Sequence, residues 1–297
     1  MSELETEHRR VDLAAWVAQA QADPVAHLQR QATDLILHAI AITVPFGSRL
    51  LLKGGVLMGL AYGSPRQTGD VDLTADFVAN VSTAEEIGTA LDAALDQARV
   101  QLGYDRLRAR VQSIKELPRQ HYPNAEFPAL KLKIGYAQDS GQIKRLNEGK
   151  ASNVIEIDIS FNEPMQHVQV LDLDGGQSLY AYGYIDLVAE KYRAMLQQPV
   201  RNRARRQDAY DLHYLITSGA LDELDKDALH RTLIKKCRPH GIEPMRDSID
   251  DPAVRERSAR DWDTLALEIG SAELPPFDLC YETAAALYRE LPWSGRE

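Results

Sequence analysis

The chain has 297 residues, 44% of them hydrophobic and 26% charged, which is the composition of a folded globular protein and excludes a disordered or fibrous one. Its formal net charge of −10 argues against a protein that coats nucleic acid with its whole surface, while leaving room for a local basic patch. The longest apolar runs fall short of a membrane span, MSELETEHRR has no apolar signal core, and Cys237 and Cys280 match no metal or disulfide spacing. The expectation is therefore a cytoplasmic chain in a reducing setting with no membrane partner.

In chain order, PVAHLQRQATDLILHAIAITV (24 to 44) spaces its apolar residues for a helix that packs on the next unit of the chain. RLLLKGG reads as a short strand or helix end stopped by glycine, and VLMGLAYG as a short helix ending at Gly63. GDVDLTADF alternates polar and apolar residues and predicts a strand. TAEEIGTALDAALDQARVQLG (83 to 103) is an amphipathic helix, with Thr83 and Glu86 in capping-box spacing and Gly103 at its end. Three strand-like runs come after it, RARVQSIKEL, PALKLKIGYA and NVIEIDISF, and the polar QDSGQIKRLNEGKAS between the last two reads as a hairpin loop or mobile excursion. Near residue 180 the texture changes to YIDLVAEKYRAML, a basic QQPVRNRARRQ, and DAYDLHYLI, with helical stretches and no convincing strand beyond. The acidic DELDKD (222 to 227) reads as a solvated helix N-terminus. The expected division is residues 1–180, mixed α/β, and 181–297, helical.

Asp70 and Asp72 stand at i and i+2 of a strand and so project from one face. Two carboxylates so placed repel unless a positive charge lies between them, and Mg2+ is the ion that prefers carboxylate oxygens together with substrate phosphate. An exposed strand face with two solvated acids has the same spelling. Upstream, Gly54 and Gly55 permit backbone N–H groups to approach an anion, at the start of a short helix whose N-terminus suits phosphate. Glu156, Asp158 and Ser160 share one face of NVIEIDISF, so either acid supplies a third carboxylate. Arg201, Arg203, Arg205 and Arg206 make an anion-binding strip in an otherwise acidic chain, or else a solvated basic loop.

KGG, then RQTGDVDL, then an acid on a later apolar strand resemble the DNA polymerase β-type nucleotidyltransferase superfamily. The fourteen residues between Gly55 and Asp70, with R-x-T-x-D-x-D ahead of the strand, resemble more narrowly the AbiEii-type toxins of type IV toxin–antitoxin and abortive-infection systems. AEKYRAM, RNRARR and DAYDLHYL resemble the same family's lysine helix, basic linker and following acid helix.

The resemblance implies an α+β fold: a polymerase β-like nucleotidyltransferase core, a mixed sheet with flanking helices, plus a helical C-terminal domain that contributes Lys and Asp to the active site. It implies transfer of a nucleoside monophosphate from an NTP to an acceptor hydroxyl, with RNA, chiefly a tRNA 3′ end, as acceptor, and a cognate antitoxin. A protein or a small molecule such as an aminoglycoside is the alternative acceptor, and a nucleotide-binding interaction module with little activity is the alternative function. Asp70, Asp72 and Asp158 would hold Mg2+, with Mn2+ as the alternative. Lys191 would offset triphosphate charge and Asp211 would orient Lys191 or the base. Gly54, Gly55, Arg66, Thr68, Glu156, Arg205, Arg206 and Asp208 would lie on the substrate side. Two positions depart from the family pattern: Val56 stands where a hydroxyl residue is usual, and Gln207 where a lysine is. Both leave the acids in place and bear on nucleotide affinity or preference.

Overall fold

The computed structural model describes residues 7–218, 226–270 and 272–293, and these divide into two compact units. The first comprises Met1–Ala61, Thr68–Glu163 and Gln169–Ala181, and the second Tyr62–Gln67, Pro164–Val168 and Tyr182–Glu297.

The first unit carries, in order, β1 (Glu7–Arg10), α1 (Leu13–Ala18), α2 (Pro24–Ile42), β2 (Leu50–Lys53) and α3 (Gly54–Tyr62). It continues with β3 (Asp70–Ala75), α4 (Thr83–Gln101), β4 (Arg108–Leu117), β5 (Ala129–Ala137), α5 (Ser140–Asn147), β6 (Asn153–Ser160), β7 (Val168–Asp172) and β8 (Ser178–Tyr182). All eight strands form one mixed sheet in the order β1-β7-β8-β2-β3-β6-β5-β4. Strands β3 and β6 are central and run parallel, while β2 and β5 flank them antiparallel.

The sheet has one apolar face because its central strands alternate. Ile155, Ile157 and Ile159 of β6 and Val71 and Leu73 of β3 are buried, and the polar residues between them point the other way. Helix α2 packs on α4 and reaches β6, burying Leu35, Ile36 and Leu37. Asp23 starts α2 by accepting the amides of Val25 and Ala26.

Three local expectations are corrected. Residues 138–152 are no loop: they hold α5, capped by Asp139, which accepts the Gln142 amide, and anchored by buried Leu146. Gly135 on β5 makes room for it, since a Cβ there would lie 2.6 Å from Ala151 Cβ and 2.9 Å from Leu146 Cδ1. The N-cap of α4 is Ser82, whose hydroxyl donates to Glu86 Oε1 at 2.6 Å, while Thr83 Oγ1 accepts the Asn80 amide. Strands β1, β7 and β8 were not foreseen, because they are short and β1 (EHRR) has no apolar alternation.

The second unit is helical. It contains α6 (Tyr184–Leu196), α7 (Gln198–Arg201), α8 (Arg206–Thr217), α9 (Lys226–Cys237), α10 (Pro252–Ala259) and α11 (Phe277–Arg289), and no strand from residue 183 onward among the described residues. Helix α6 is its axis, with Leu187, Val188, Tyr192 and Met195 fully enclosed and α8 and α9 packed along it. Most of the DELDKD segment lies outside the described residues. Among the described residues no helix is long and apolar enough to cross a membrane.

Candidate active site

Strand register assembles the polar face of the first unit. Parallel pairing of β3 with β6 sets Asp70 beside Glu156 and Asp72 beside Asp158. Since residues i and i+2 share a face, the four carboxylates form a two-by-two array at the centre of the sheet. The flanking strands continue both rows with lysines. Lys53 on β2 faces Asp72, Lys131 on β5 faces Asp158, and Lys133 faces Glu156.

The lysine contacts follow the register only in part, since Lys131 also reaches the diagonal Glu156 and Lys53 the next residue of that face of β6. Lys131 Nζ lies 3.0 Å from Glu156 Oε2 and 3.4 Å from Asp158 Oδ1, and Lys133 Nζ lies 3.2 Å from Glu156 Oε1. Lys53 Nζ donates to Ser160 Oγ at 2.7 Å, next along β6. Hydrogen bonds from Lys131 and Lys133 hold the Glu156 carboxyl below its ordinary pKa. Asp70 has the opposite bias: partial burial, then the charges of Glu156 and Asp158, push its carboxyl up against the pull of Lys131.

Gly54 and Asp72 are built around one another. Gly54 opens α3 with φ +72°, and a Cβ on it would lie 2.1 Å from Asp72 Oδ2. The first glycine of the pair thus gives the Asp72 carboxylate its space, beside any role its amide has toward an anion. Gly55 and Val56 come next, buried in the first turn of α3. Thr68 Oγ1 accepts the Asp70 amide at 3.5 Å, at the entry to β3.

The donor set suits a hard divalent cation. It is made of carboxylates, four on β3 and β6 against the three lysines of the flanking strands. Asp158 Oδ1 is enclosed and has the Lys131 ammonium set against it at 3.4 Å, so the oxygen already sits where a positive charge is held. Among the described residues, however, no three His, Cys, Asp or Glu side chains already converge into a metal cage. The strand faces supply ligands that must draw together.

The remaining sequence-predicted residues meet in the second unit. Lys191 on α6 donates to Asp211 Oδ2 at 2.5 Å and lies 3.5 Å from Asp208 Oδ1, both on α8. Arg66 grips Asp211 with both arms, Nε to Oδ1 at 2.9 Å and Nη2 to Oδ2 at 2.8 Å, and reaches Glu268 Oε2 at 3.3 Å. Arg205 Nε donates to Asp208 Oδ2 at 2.6 Å, and Arg206 Nη2 to Glu268 Oε1 at 3.0 Å. Lys191, Asp208 and Asp211 are all buried.

This is a network of four cations and three carboxylates, so one positive charge is in surplus. Burial alone would raise the Asp211 pKa, but Lys191 and Arg66 outweigh it and hold the group at about 2. The basic strip is split. Arg205 and Arg206 turn into the network, while Arg201 and Arg203 are exposed.

Sequence reasoning missed Lys53, Lys131, Lys133 and Glu268. The two β5 lysines had a signal, since LKLKI alternates in the same way as IEIDI. Glu268 had none, lying outside every motif.

Residues 35–283 match the sequence model of a family described as nucleotidyl transferase AbiEii toxin, type IV TA system. No curated protein matches the chain. Among solved structures the chain is similar to MenT4, a nucleotidyltransferase toxin from Mycobacterium tuberculosis H37Rv, at 18% identity and TM-score 0.50, over 93% of this chain and 99% of that one. It is similar also to a proposed nucleotidyltransferase from H. pylori, at 16% identity and TM-score 0.52, over 88% and 93% of the two chains. At such identities the structural likeness shows the fold alone.

Proposed function

From the fact that this chain belongs to the AbiEii family of nucleotidyltransferase toxins of type IV toxin–antitoxin systems, we propose that it moves a nucleoside monophosphate from an NTP to an acceptor hydroxyl with Asp70, Asp72 and Asp158 as its metal-holding residues. Membership makes it a nucleotidyltransferase with an NTP substrate and a cognate antitoxin. The metal, the acceptor and the residue roles are the proposal. The observation that carries it is the carboxylate array across β3 and β6, with Gly54 shaped to admit Asp72.

Divalent cations, Mg2+ with Mn2+ as the alternative, supply charge neutralisation for the attacking and leaving oxygens when bound. The chain's own contribution is to bind and orient. Asp70 and Asp72 present oxygens from one strand face, and Asp158 presents the enclosed Oδ1 from the neighbouring strand. The amides of Gly54 and Gly55, at the N-terminus of α3, favour a phosphate oxygen there. Glu156, tethered by two lysines, is oriented to steer the acceptor hydroxyl. Lys191 is assigned to triphosphate charge, with Asp211 and Arg66 fixing the ammonium in place. RNA, with tRNA ends foremost, is the proposed acceptor, supported by exposed Arg201 and Arg203 on an otherwise acidic chain.

The test incubates the protein with each α-labelled NTP, Mg2+ and total RNA, and tracks where the label goes. Labelled RNA is expected, with none from Asp70→Asn or Asp72→Asn of unchanged fold. Label retained by either variant would overturn the metal assignment. Label appearing on protein or on a small molecule would overturn the RNA acceptor and leave the metal assignment standing.

A further inference from the structure

Lys131 lies against Asp158, one of the metal-holding carboxylates, and the transfer chemistry gives it no part. Its ammonium bridges two acids, at 3.0 Å from Glu156 Oε2 and 3.4 Å from Asp158 Oδ1. The second of these oxygens is enclosed, with the Lys131 ammonium set against it. Lys133, two residues on, touches Glu156 and pairs with it in register. The two lysines therefore differ in one respect: Lys131 stands on an oxygen that a divalent cation would use, and Lys133 does not.

An ammonium and a divalent cation repel strongly at contact distance, so they cannot both hold one carboxylate oxygen. Lys131 can yield. Its side chain is 35% exposed, and Lys133 keeps Glu156 compensated when Lys131 swings away.

Resting on the metal reading, we propose that Lys131 is the displaceable counter-ion of this site, neutralising Asp158 Oδ1 in the metal-free protein and turning its charge onto substrate phosphate once a divalent cation takes that oxygen. Lys131 is thus a competitor of the metal and a partner of the anionic substrate. The two roles have opposite signs in a binding experiment.

The test titrates Mn2+ into the NTP-free protein and counts free ion by electron paramagnetic resonance, for the parent, Lys131→Met, Lys131→Arg and Lys133→Met. Methionine keeps most of the stem and removes the charge. Lys131→Met is expected to bind Mn2+ about tenfold more tightly than the parent, the size of effect that one partly exposed charge exerts on a neighbour. Lys131→Arg should resemble the parent and Lys133→Met should change less. At saturating Mn2+, NTP should bind more weakly to Lys131→Met than to the parent.

A salt bridge with a purely structural role would lower the melting temperature of Lys131→Met and leave its Mn2+ affinity unchanged or weaker. That result, or equal tightening by Lys131→Met and Lys133→Met, would overturn the proposal. If Asp70→Asn and Asp72→Asn bind Mn2+ as the parent does, the metal reading itself fails and Lys131 loses its role with it.

Discussion

A methyl group on Gly54 would collide with the carboxylate of Asp72, and the backbone there has a left-handed φ that side chains resist. Gly54→Ala is therefore expected to cost about 1 kcal/mol of stability from the backbone alone. Its larger effect should be on Mn2+ binding, because Asp72 must move aside. Thermal melting and Mn2+ titration check the two separately, and an unaltered Mn2+ affinity would place Asp72 outside the metal site.

Asp211 supports a second prediction at the same scale. It is fully buried between Lys191 and Arg66, and removing one partner of a buried charge pair typically costs about 3–5 kcal/mol. Its pKa is held at about 2, below the ordinary value of 3.8. A lowered folded pKa contributes stability that is present above the unfolded value and lost as pH falls through the folded one. Asp211→Asn should accordingly be much less stable than the parent at about pH 7, with the gap narrowing below about pH 4. Urea denaturation across that range measures it, and a gap independent of pH would contradict the charge-pair account.

At the scale of elements, α2 is fastened by a buried polar cluster. His38 Nδ1 lies 2.9 Å from Asp34 Oδ1, Tyr104 donates its hydroxyl to Asp34 Oδ2 at 2.6 Å, and His38 Nε2 lies 3.1 Å from the Asp174 carbonyl. The cluster ties α2 both to the segment after α4 and to the turn between β7 and β8. Burial acts to lower the His38 pKa, but Asp34 and the Asp174 carbonyl raise it beyond its ordinary value. A raised folded pKa means stability fully present below the unfolded value, about 6.5, and lost as pH rises through the folded one. The advantage of the parent over His38→Gln in chemical denaturation should be greatest below about pH 6.5 and shrink as pH rises past the folded pKa. An advantage that grew with pH would show the imidazole to be neutral in the fold.

The helices and central strands of the first unit were legible because each carries its own periodicity over many residues. Helix α4 buries every third or fourth residue and β6 alternates cleanly, while α2 is enclosed without a break from Ala32 to Ile40 and β3 alternates only over its first residues. Helix α5 was misread because its eight residues are mostly polar and a single buried leucine anchors it. The β5 lysines were passed over because alternation shows that they share a face but not which strand lies beside them.

The whole molecule carries a net charge of −10, so an RNA acceptor must be drawn by a local positive surface. Arg201 and Arg203 are the exposed half of the basic strip, and Arg205 and Arg206 are the half-buried one. Neutralising Arg201 and Arg203 together should weaken RNA binding and flatten its log–log salt dependence by a slope of about 0.7 per lost single-strand phosphate contact. NTP affinity should change little, since neither residue is assigned to the nucleotide. Filter binding at several salt concentrations decides the matter: an unchanged slope would make the strip a solvated loop.

The sequence by itself determined the local geometry of the chemistry. Asp70 and Asp72 had to share a strand face, Glu156 and Asp158 likewise, and the double glycine had to interrupt an apolar run ahead of a short helix. Those features come from the period of a strand and the freedom of glycine, which act within a few residues. Only the tertiary structure decided which pairs meet. The parallel register of β3 with β6 joins acids more than eighty residues apart, β5 adds Lys131 and Lys133 beside them, and Glu268 reaches Arg66 from two hundred residues along the chain. Register and packing arise from burying whole faces at once, through contacts distant in sequence, so no local pattern encodes them.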